Sequence, residues 1–553
     1  MNLVTPSGFR DVLAEEAIVR ERITRSVQQL FADRGYLPIE TPTLEVMDVM
    51  RAGGRLPGSP FKFFDSRGDL LAMRPDVTLQ VARMCATRLS GVSGPLRFRY
   101  TQRVFREAES KSQAEAREVT QMGIEFIGEA GPEADAEVIG LMAEALQLAG
   151  VNRFSLAVAT VGVLRELLNR SGAPAVWKAA VLEAYHASNF VELDRLTALD
   201  GEELGMDVSS VAPAYALAIR ALPRIRGGRE AIDRVRALVA PLGCIDGLDD
   251  FERTFDLLAE AGLADRVLVD FSVMSSFDYY TGIVFEAYSP YLGTELGSGG
   301  RYDNMISAYG ESRPAAGFAF TLEQAMTASA KEAAAASDEQ AARPLRIAVP
   351  KGSLNAGTIA CLAEAGLDVT GLDNPGRQLI ISNPGVDYII VRPTDAPVFV
   401  SLGAADCGIC GKDSLLEASP EVVELVDLKF GACRFVVAES EGSSEAIDEH
   451  YRTLGSIRVA TKYPNITRAH YAKTGTQVEI VKLHGNIELA PLTGMAERIV
   501  DITASGTTLR ENNLCIVEEV LASTARFFAN TCAFRTDARI VELSEALASQ
   551  IKE

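Results

Sequence analysis

The segment from Ile499 to Asn513 combines residue types that suit a phosphate-binding turn. A short apolar run with one acid inside it, Asp501, predicts a buried strand, and Arg510 to Asn513 predicts the opening of a helix. Unpaired backbone N–H groups at a helix start carry partial positive charge and attract anions. A threonine-rich surface turn is the plain alternative, but the strand, the acid and the turn together favour a phosphate. The predicted phosphate-binding residues are Thr503, Ala504, Ser505, Gly506, Thr507 and Thr508.

Further charged residues recur where predicted strands end. The Asp501 carboxylate suits sugar hydroxyls or a metal ion that accompanies phosphates. Each of the other residues, taken alone, is an ordinary solvated charge or turn residue. Their repeated placement at strand ends predicts a site, because ligands of α/β sheets bind there. These residues are Lys351 with Gly352, Arg377, Arg392 and Glu488.

The elements that would position these residues alternate between strand and helix patterns. Short apolar runs predict strands at 347–349, 388–392, 457–461 and 478–483, and a helical pattern lies around 466–472. Such alternation predicts an α/β domain over residues 344–553. The segment 325–343 is rich in alanine and lacks an apolar stripe, so we predict a partly helical spacer there.

The front part, residues 1–324, has a different pattern. Its apolar residues repeat at helical spacing from Val138 to Ala149 and over most of 160–262. The runs Val267–Phe271 and Thr281–Tyr288 predict neighbouring antiparallel strands. We therefore expect an α+β domain, an antiparallel sheet with a helical insertion.

Composition narrows the classes of function. The formal net charge is −21 and we find no long cluster of basic residues, which argues against a nucleic-acid binder. We expect no signal peptide and no membrane span, because no apolar run is long enough. The eight cysteines lack a disulfide-framework spacing, so we expect a cytoplasmic protein. The lone pair Cys407 and Cys410 predicts packing rather than a metal site.

The back part resembles the short form of ATP phosphoribosyltransferase, the first enzyme of histidine biosynthesis. The resemblance implies an α/β fold of two lobes, similar to a periplasmic binding protein. It lies in the stretches 348–354, 391–397, 403–413, 457–464 and 500–509, in the order of the family.

The implied reaction joins N1 of ATP to phosphoribosyl pyrophosphate (PRPP) and releases pyrophosphate. Asp501 would then hold ribose hydroxyls beside the phosphate turn, and Mg²⁺ carried by PRPP would offset the charge on pyrophosphate. Lys351, Arg377 and Arg392 would be the catalytic cations. Lys351, Gly352 and Glu488 would bind ATP.

The front part resembles a class II aminoacyl-tRNA synthetase, and most closely the histidyl-tRNA synthetases. The matching stretches are 6–11, 73–78, 98–106, 121–125, 277–282, 299–303 and 317–323. Two arginines of that family are replaced here, by Ser275 and Gln324, and the segment 107–115 is acidic where a basic one is expected. No anticodon-binding domain is recognised. Amino-acid activation and tRNA binding are therefore not expected.

The amino-acid pocket of the synthetases is retained, which is typical of the regulatory subunit of ATP phosphoribosyltransferase. We expect histidine to bind there as an effector. We also expect a homo-oligomer, and a tetramer is the predicted form. Two alternatives stay open. One is a synthetase paralogue that still activates histidine, and the other is a sensor whose back part binds a ligand without transferase activity. The implied pocket residues are Asp76, Thr78, Gln121, Glu125, Tyr279 and Tyr280.

Overall fold

The computed structural model describes residues 3–54, 59–107, 116–273, 279–336, 343–503 and 506–551. The chain divides into two compact units. The front unit contains Met1–Ala341 together with Thr531–Asp537, and the back unit contains Ala342–Asn530 together with Ala538–Glu553. Within the described part of the chain, no helix is both long and apolar enough to cross a membrane.

Nine of the described strands form the main sheet of the front unit, in the order β1-β5-β6-β12-β11-β10-β7-β9-β8, and three more form a small sheet, β2-β4-β3. The strands are β1 (Leu37–Pro38), β2 (Leu44–Val46), β3 (Lys62–Phe64), β4 (Leu70–Met73), β5 (Leu96–Phe105), β6 (Glu118–Ile127), β7 (Ser155–Thr160), β8 (Arg226–Gly227), β9 (Val267–Asp270), β10 (Ile283–Tyr288), β11 (Gly297–Arg301) and β12 (Ala315–Thr321). Most neighbours are antiparallel, as predicted; β1/β5 and β7/β9 are parallel.

Helices cover this sheet and fill the segment between β7 and β9. Helix α4 buries the predicted apolar stripe, which includes Val138, Leu141 and Leu146. The helices of the front part are α1 (Ala14–Asp33), α2 (Met47–Ala52), α3 (Thr78–Thr87), α4 (Pro132–Leu148), α5 (Val161–Arg170), α6 (Ala175–His186), α7 (Phe190–Thr197), α8 (Gly201–Leu204), α9 (Pro213–Ala221), α10 (Arg229–Val239), α11 (Leu248–Glu260) and α12 (Leu322–Ala336).

Two expectations for the front part differ from the structure. Strands β9 and β10 are not neighbours, because β7 lies between them and pairs with both. Helix α12 also occupies the first part of the predicted spacer and is packed. Ala325 and Ala328 are fully buried in the core, and Glu323 accepts a hydrogen bond from the backbone N–H of Thr120 at 2.9 Å. Alanine has enough apolar surface to pack a helix that approaches its neighbours closely.

The back unit contains two sheets, which we call the first lobe (β14-β15-β13-β16-β23-β17) and the second lobe (β20-β19-β21-β18-β22). The strands are β13 (Leu345–Pro350), β14 (Ile380–Asn383), β15 (Val386–Val391), β16 (Cys407–Gly411), β17 (Val422–Asp427), β18 (Cys433–Ser440), β19 (Ile457–Thr461), β20 (Val478–Lys482), β21 (Arg498–Thr503), β22 (Leu514–Ser523) and β23 (Ala525–Asn530). In the first lobe β13 is parallel to β15 and β16, and in the second β19 is parallel to β20 and β21.

The helices of the back part of the chain lie between its strands and after the last strand, β23. These helices are α13 (Asn355–Glu364), α14 (Ala396–Ser401), α15 (Lys412–Ala418), α16 (Ser444–Leu454), α17 (Pro464–Thr474), α18 (Leu489–Leu492), α19 (Thr507–Glu511), α20 (Thr531–Thr536) and α21 (Ala538–Ser549). The chain passes between the lobes twice, from β17 to β18 and from β22 to β23. The two passages are tied together where the Thr524 hydroxyl donates to Asp427 at 2.7 Å.

Helix α20 belongs to the front unit although its neighbours in sequence belong to the back unit. Cys532 and Phe534 are buried there, and Cys532 is part of the front hydrophobic core. No residue separates the end of β23 from the start of α20. The backbone therefore runs from the back unit into the front unit and returns within seven residues.

Candidate active site and a polar pocket

Three cations of the first lobe lie at one edge of its sheet. Strands β13 and β15 are in register from Leu345↔Val386 to Pro350↔Val391, so Lys351 and Arg392 follow neighbouring strand ends. Strand β14 is antiparallel to β15, which places Arg377, three residues before it, near the same edge. All three side chains are exposed, and none forms an ion pair with a carboxylate among the described residues. They are available to a bound anion.

Gly352 lies in the turn between β13 and α13. Its φ is +83°, a conformation that other residues rarely adopt, so the sequence Lys-Gly is required for the sharp turn after Lys351. The Lys351 backbone N–H donates to the carbonyl of Val391 at 2.9 Å, which fixes the turn to the neighbouring strand end.

The predicted phosphate turn lies between β21 and α19 in the second lobe. The hydroxyl of Thr503 accepts a hydrogen bond from the Gly506 N–H at 2.8 Å, and Gly506 has a φ of +71°. Helix α19 begins at Thr507 and ends at Glu511, so the expected helix start at Arg510 is wrong. Ala504 and Ser505 lie outside the described residues. Thr507 and Thr508 are exposed, while Leu509 anchors the helix in the core.

Asp501 is half-buried in β21 and has three charged or polar neighbours that affect its ionisation. Burial raises the pKa of the Asp501 carboxyl. The Ile502 N–H, which donates at 2.8 Å, and the Lys462 ammonium lower this pKa, whereas the Glu488 carboxylate raises it further. Asp501 therefore has one cation and one anion close enough to influence its charge.

Sequence reasoning missed Lys462 as a site residue. Strands β19 and β21 are parallel and pair Thr461 with Val500, so Lys462 and Asp501 continue two neighbouring strands at one level. The signal was present, because a lysine directly follows the strand 457–461. Glu488, which comes shortly after the third parallel strand, β20, is half-buried at the start of α18. The second lobe thus collects Lys462, Glu488 and Asp501 at the C-terminal edge of its parallel strands.

The two lobes also meet at α15 and α17. The carboxylate of Glu417 on α15 accepts hydrogen bonds from the backbone N–H groups of Asn465 at 3.0 Å and Ile466 at 3.1 Å, both in the first turn of α17. The Asn465 side chain donates back to the Glu417 carbonyl at 2.8 Å. A carboxylate at a helix start is stabilised by unpaired N–H groups. This contact links the first lobe to the element that directly follows Lys462.

Four of the predicted pocket residues in the front unit are joined through hydrogen bonds, and we call this group the polar pocket after its predicted role. One oxygen of Asp76 accepts from the Thr78 N–H at 2.7 Å, and the other accepts from the Gln121 side chain at 3.0 Å. The side-chain carbonyl of Gln121 accepts from the Val77 N–H at 3.2 Å, which fixes the orientation of the Gln121 amide. The hydroxyl of Thr78 donates to Glu125 at 2.7 Å.

Glu125 is buried and accepts hydrogen bonds from two tyrosines in addition to Thr78. Tyr302 donates a hydrogen bond to one of its oxygens, and Tyr100 donates to the other at 3.3 Å. Burial raises the pKa of the Glu125 carboxyl to about 8, against the opposing effect of the donors Tyr302 and Thr78. The two tyrosines were not predicted as pocket residues, although both lie in stretches that carry the resemblance.

Glycines provide the space for the pocket side chains. A Cβ on Gly317, which pairs with Glu125 across β12 and β6, would lie 2.1 Å from the Glu125 carboxylate. A Cβ on Gly300 would lie 2.7 Å from the Tyr280 ring. Both clashes involve groups held in place by their surroundings, so these positions require glycine.

Tyr279 and Tyr280 are the remaining predicted residues of the polar pocket. Their ring centroids are 4.3 Å apart, and Tyr280 is buried. Burial raises the pKa of Tyr280 well above its usual value, and the Asp76 carboxylate contributes to this shift, which places the ring near Asp76. Residues 274–278, including Ser275, lie outside the described part of the chain.

One departure from the synthetase pattern has a visible consequence. Gln324 donates from its side chain to the Thr294 hydroxyl at 3.0 Å, so a neutral amide with a protein partner stands where the family has a cation. The acidic residues 108–115 lie outside the described residues.

The charge state of Glu125 leads to a prediction about pH. An acid whose pKa is raised on folding stabilises the fold fully below its unfolded pKa, and this contribution is lost as the pH rises through about 8. We expect the stability of the wild type relative to Glu125→Gln to fall by up to about 1.4 kcal/mol per pH unit between pH 5 and 8. Melting temperatures at several pH values measure this difference.

The exposed Glu129, four residues further along, provides the control for that experiment. Glu129→Gln should keep a constant difference from the wild type over the same pH range. An equally constant difference for Glu125→Gln would contradict the raised pKa.

Comparison with known proteins gives two separate matches along the chain. The family model of histidyl-tRNA synthetase matches residues 8–325, and that of ATP phosphoribosyltransferase matches residues 392–552. An ATP phosphoribosyltransferase from Rubrobacter xylanophilus is 46% identical over 211 residues, which is 38% of this chain and 97% of the relative. An ATP phosphoribosyltransferase regulatory subunit from Moorella thermoacetica is 34% identical over 335 residues, 60% of this chain and 84% of the relative.

One solved structure matches over most of the chain. It is described as an ATP phosphoribosyltransferase regulatory subunit/histidyl-tRNA synthetase from Bacillus halodurans. The TM-score is 0.54 and the identity 26%, and the match covers 70% of this chain and 98% of that structure. The likeness supports the class II synthetase fold that was expected for the front part.

Proposed function

The chain belongs to the histidyl-tRNA synthetase family in its front part and to the ATP phosphoribosyltransferase family in its back part, and from this we propose which residues bind each substrate and the effector. It is an ATP phosphoribosyltransferase of histidine biosynthesis, with a part like the regulatory subunit on the same polypeptide. It transfers the phosphoribosyl group of PRPP to N1 of ATP and releases pyrophosphate.

PRPP binds to the second lobe in this proposal. Its 5′-phosphate lies against the turn 503–508, in which the Gly506 N–H donates to the Thr503 hydroxyl. The ribose hydroxyls donate to Asp501, which lies in β21 two residues before the strand ends at the turn. The juxtaposition of this acid and the turn is the observation that carries the assignment.

A divalent cation fits the same edge. Asp501 and Glu488 are oxygen donors close enough for one to raise the pKa of the other, and hard cations such as Mg²⁺ prefer such donors. Asp501 and Glu488 would hold the ion together with the pyrophosphate of PRPP. When bound, the ion supplies positive charge to the departing pyrophosphate.

ATP binds toward the first lobe, with its triphosphate near Lys351, Gly352 and Arg392. In the reaction, the lone pair of adenine N1 forms a bond to C1 of the ribose while the bond from C1 to the pyrophosphate oxygen breaks. The electron pair of that bond leaves with pyrophosphate. Lys351, Arg377 and Arg392 stabilise the growing negative charge with fixed positive charge, and catalysis consists of positioning and electrostatics.

We propose that the two lobes close on the substrates, as in a periplasmic binding protein. Two chain passages join the lobes, and each lobe contributes its own charged set at the end of its parallel strands. Release of pyrophosphate on mixing the full chain with ATP, PRPP and Mg²⁺ tests the assignment. A chain that releases none, yet binds PRPP, would be a sensor instead of a transferase.

The polar pocket of the front unit binds histidine in this proposal. Its carboxylates suit an ammonium group and a protonated imidazole, and its tyrosines provide flat walls. Histidine then lowers turnover by favouring a less active state of the enzyme. Histidine-dependent exchange of pyrophosphate into ATP would reveal synthetase activity instead, and the neutral Gln324 argues against it.

We also propose that the chain forms a homo-oligomer, a tetramer in the simplest arrangement. Large apolar side chains are exposed on β1, β2 and β3 of the front unit, among them Leu37 and Phe64, which are 64% and 72% exposed. Such a surface suits burial against a second copy. Light scattering in solution measures the oligomeric state.

All the cysteines are free thiols, which supports a reducing compartment, the cytoplasm.

A further inference from the structure

Helix α15 of the first lobe is held at its start by one of the two passages between the lobes. It follows β16, which is parallel to β13, so α15 begins at the sheet edge where Lys351 lies. The Lys412 N–H donates to the carbonyl of Thr524 at 3.0 Å. The hydroxyl of Ser523, the last residue of β22, donates to the buried Asp413 carboxylate at 2.7 Å. These contacts fix the first turn of α15 to the chain that returns from the second lobe.

Helix α17 of the second lobe is capped by the first lobe. Its N-cap residue is Tyr463, whose side chain makes no capping hydrogen bond within the described part of the chain, and Pro464 has no N–H to donate. The next two N–H groups, those of Asn465 and Ile466, therefore need a partner from elsewhere. One oxygen of Glu417, in the last turn of α15, accepts from both, at 3.0 Å and 3.1 Å.

This contact of Glu417 with the start of α17, which we call the interlobe contact, lies beside the proposed PRPP site. It is reciprocal, because the Asn465 side chain donates to the Glu417 backbone carbonyl at 2.8 Å. Burial raises the pKa of the adjacent Tyr463 hydroxyl, and the carboxylates of Asp413 and Asp501 raise it further. The start of α17 is therefore close to a carboxylate of each lobe.

The interlobe contact depends on the angle between the lobes. Asp413, which is tied to the passage at Ser523, and Glu417 are separated along the axis of α15 by about 6 Å. A rotation of about 20° at this passage would displace Glu417 from α17 by about 2 Å, which its hydrogen bonds do not tolerate. The contact is therefore compatible with only a narrow range of angles.

We propose that Glu417 is a positioning residue for phosphoribosyl transfer. Its bonds to α17 hold the lobes at the angle that brings adenine N1 of ATP on the first lobe within reach of C1 of PRPP on the second. Glu417 acts through α17 and not on a substrate. This inference rests on the proposed closure of the lobes and adds the contact that fixes the closed arrangement.

The test is transfer in a single turnover, with the full chain in excess over PRPP, because this measurement does not depend on product release. Glu417→Ala should transfer at least about tenfold more slowly than the wild type at saturating ATP and Mg²⁺. Its affinity for PRPP, measured by calorimetry, should stay within about threefold, because Asp501 and the turn 503–508 belong to the second lobe. Transfer at the wild-type rate or faster would overturn the proposal.

Two conservative variants separate the reach of Glu417 from its charge. Glu417→Gln keeps the length and an oxygen that can accept from both N–H groups, so its transfer rate should stay within about threefold of the wild type. Glu417→Asp keeps the charge but is one methylene shorter, and it should be as slow as Glu417→Ala. The reverse order would show that the charge acts at a distance and would contradict positioning.

Asn465→Ala distinguishes the interlobe contact from a simple helix cap. This variant leaves the start of α17 capped by Glu417 but removes the bond that Asn465 returns, so transfer should slow by about threefold. The control is Glu445→Ala, which removes an exposed acid from the first turn of α16, a helix of the second lobe, and should behave as the wild type. If Glu417→Ala does not fold, wild-type transfer by Asn465→Ala overturns the proposal.

Failure of the proposed function gives a different result. A wild type that binds PRPP but releases no pyrophosphate refutes the proposed function, and this inference falls with it. An active wild type whose Glu417→Ala variant loses PRPP affinity as strongly as transfer shows damage to the PRPP site and contradicts positioning alone.

Discussion

Replacement of Asp501 by asparagine is expected to lower turnover of ATP and PRPP by roughly 10²- to 10³-fold. The substitution keeps the shape of the side chain but removes the charge that would hold the ribose hydroxyls and the cation. The pair of Asp501 with Lys462 is lost at the same time, so the lysine is no longer balanced at this edge. Steady-state rates of pyrophosphate release at saturating substrates measure the effect.

The same variant should fold at least as well as the wild type. Burial disfavours the charged form of Asp501, as the direction of its pKa shift shows, so a neutral side chain removes a penalty. Glu511→Gln is the matched control, because it removes one exposed carboxylate from α19, the helix that follows the phosphate turn. A rate for Asp501→Asn within about threefold of that control would refute the assignment of the site.

Replacement of Asp76 by alanine is expected to raise the histidine concentration needed for half-maximal inhibition by roughly 10- to 100-fold. Asp76 accepts from the Thr78 backbone and from Gln121, so the variant loses both the negative charge and the orientation of its neighbours. Turnover without histidine should not change, because Asp76 lies in the front unit. Inhibition curves and calorimetric titration give the two affinities independently.

The control for this experiment is Asp69→Ala, which removes an exposed carboxylate in the same part of the chain. It should retain the inhibition curve of the wild type. If Asp76→Ala is inhibited by histidine at the same concentrations as this control, the effector binds elsewhere.

Local patterns predict the elements of the back unit because its parallel strands are short and continuous in sequence. The runs at 457–461 and 478–483 form β19 and β20 side by side, with α17 between them as expected. Arg392 and Lys351 could be assigned to one edge for the same reason, since residues after parallel strands meet there. The four hydrogen-bonded residues of the polar pocket could be named only from the family pattern, because they are separated along the chain.

Local sequence patterns do not predict which distant segments pair with each other. Strand β7 lies between β9 and β10. The mostly helical insertion of more than a hundred residues that follows β7 brings the chain back on the side of β7 opposite β10, and no local sequence pattern predicts this. Lys462 was missed because a single lysine after a strand looks like a solvated charge until the register with β21 is known. Arg535 has an ordinary helical context, and its buried partner Asp270 is far away in the chain.

The interleaving of the two units by α20 has a consequence for how the chain can be divided. A protease that cuts between residues 336 and 343 separates two sequences that resemble free-standing proteins, yet the front fragment lacks a helix that contributes Cys532 to its core. The fragments should therefore remain associated after the cut, like the halves of a split protein. A gene divided at that point would encode a front chain whose core is complete only when the other product supplies α20. The two parts should thus be harder to separate into independent proteins than the two family matches suggest.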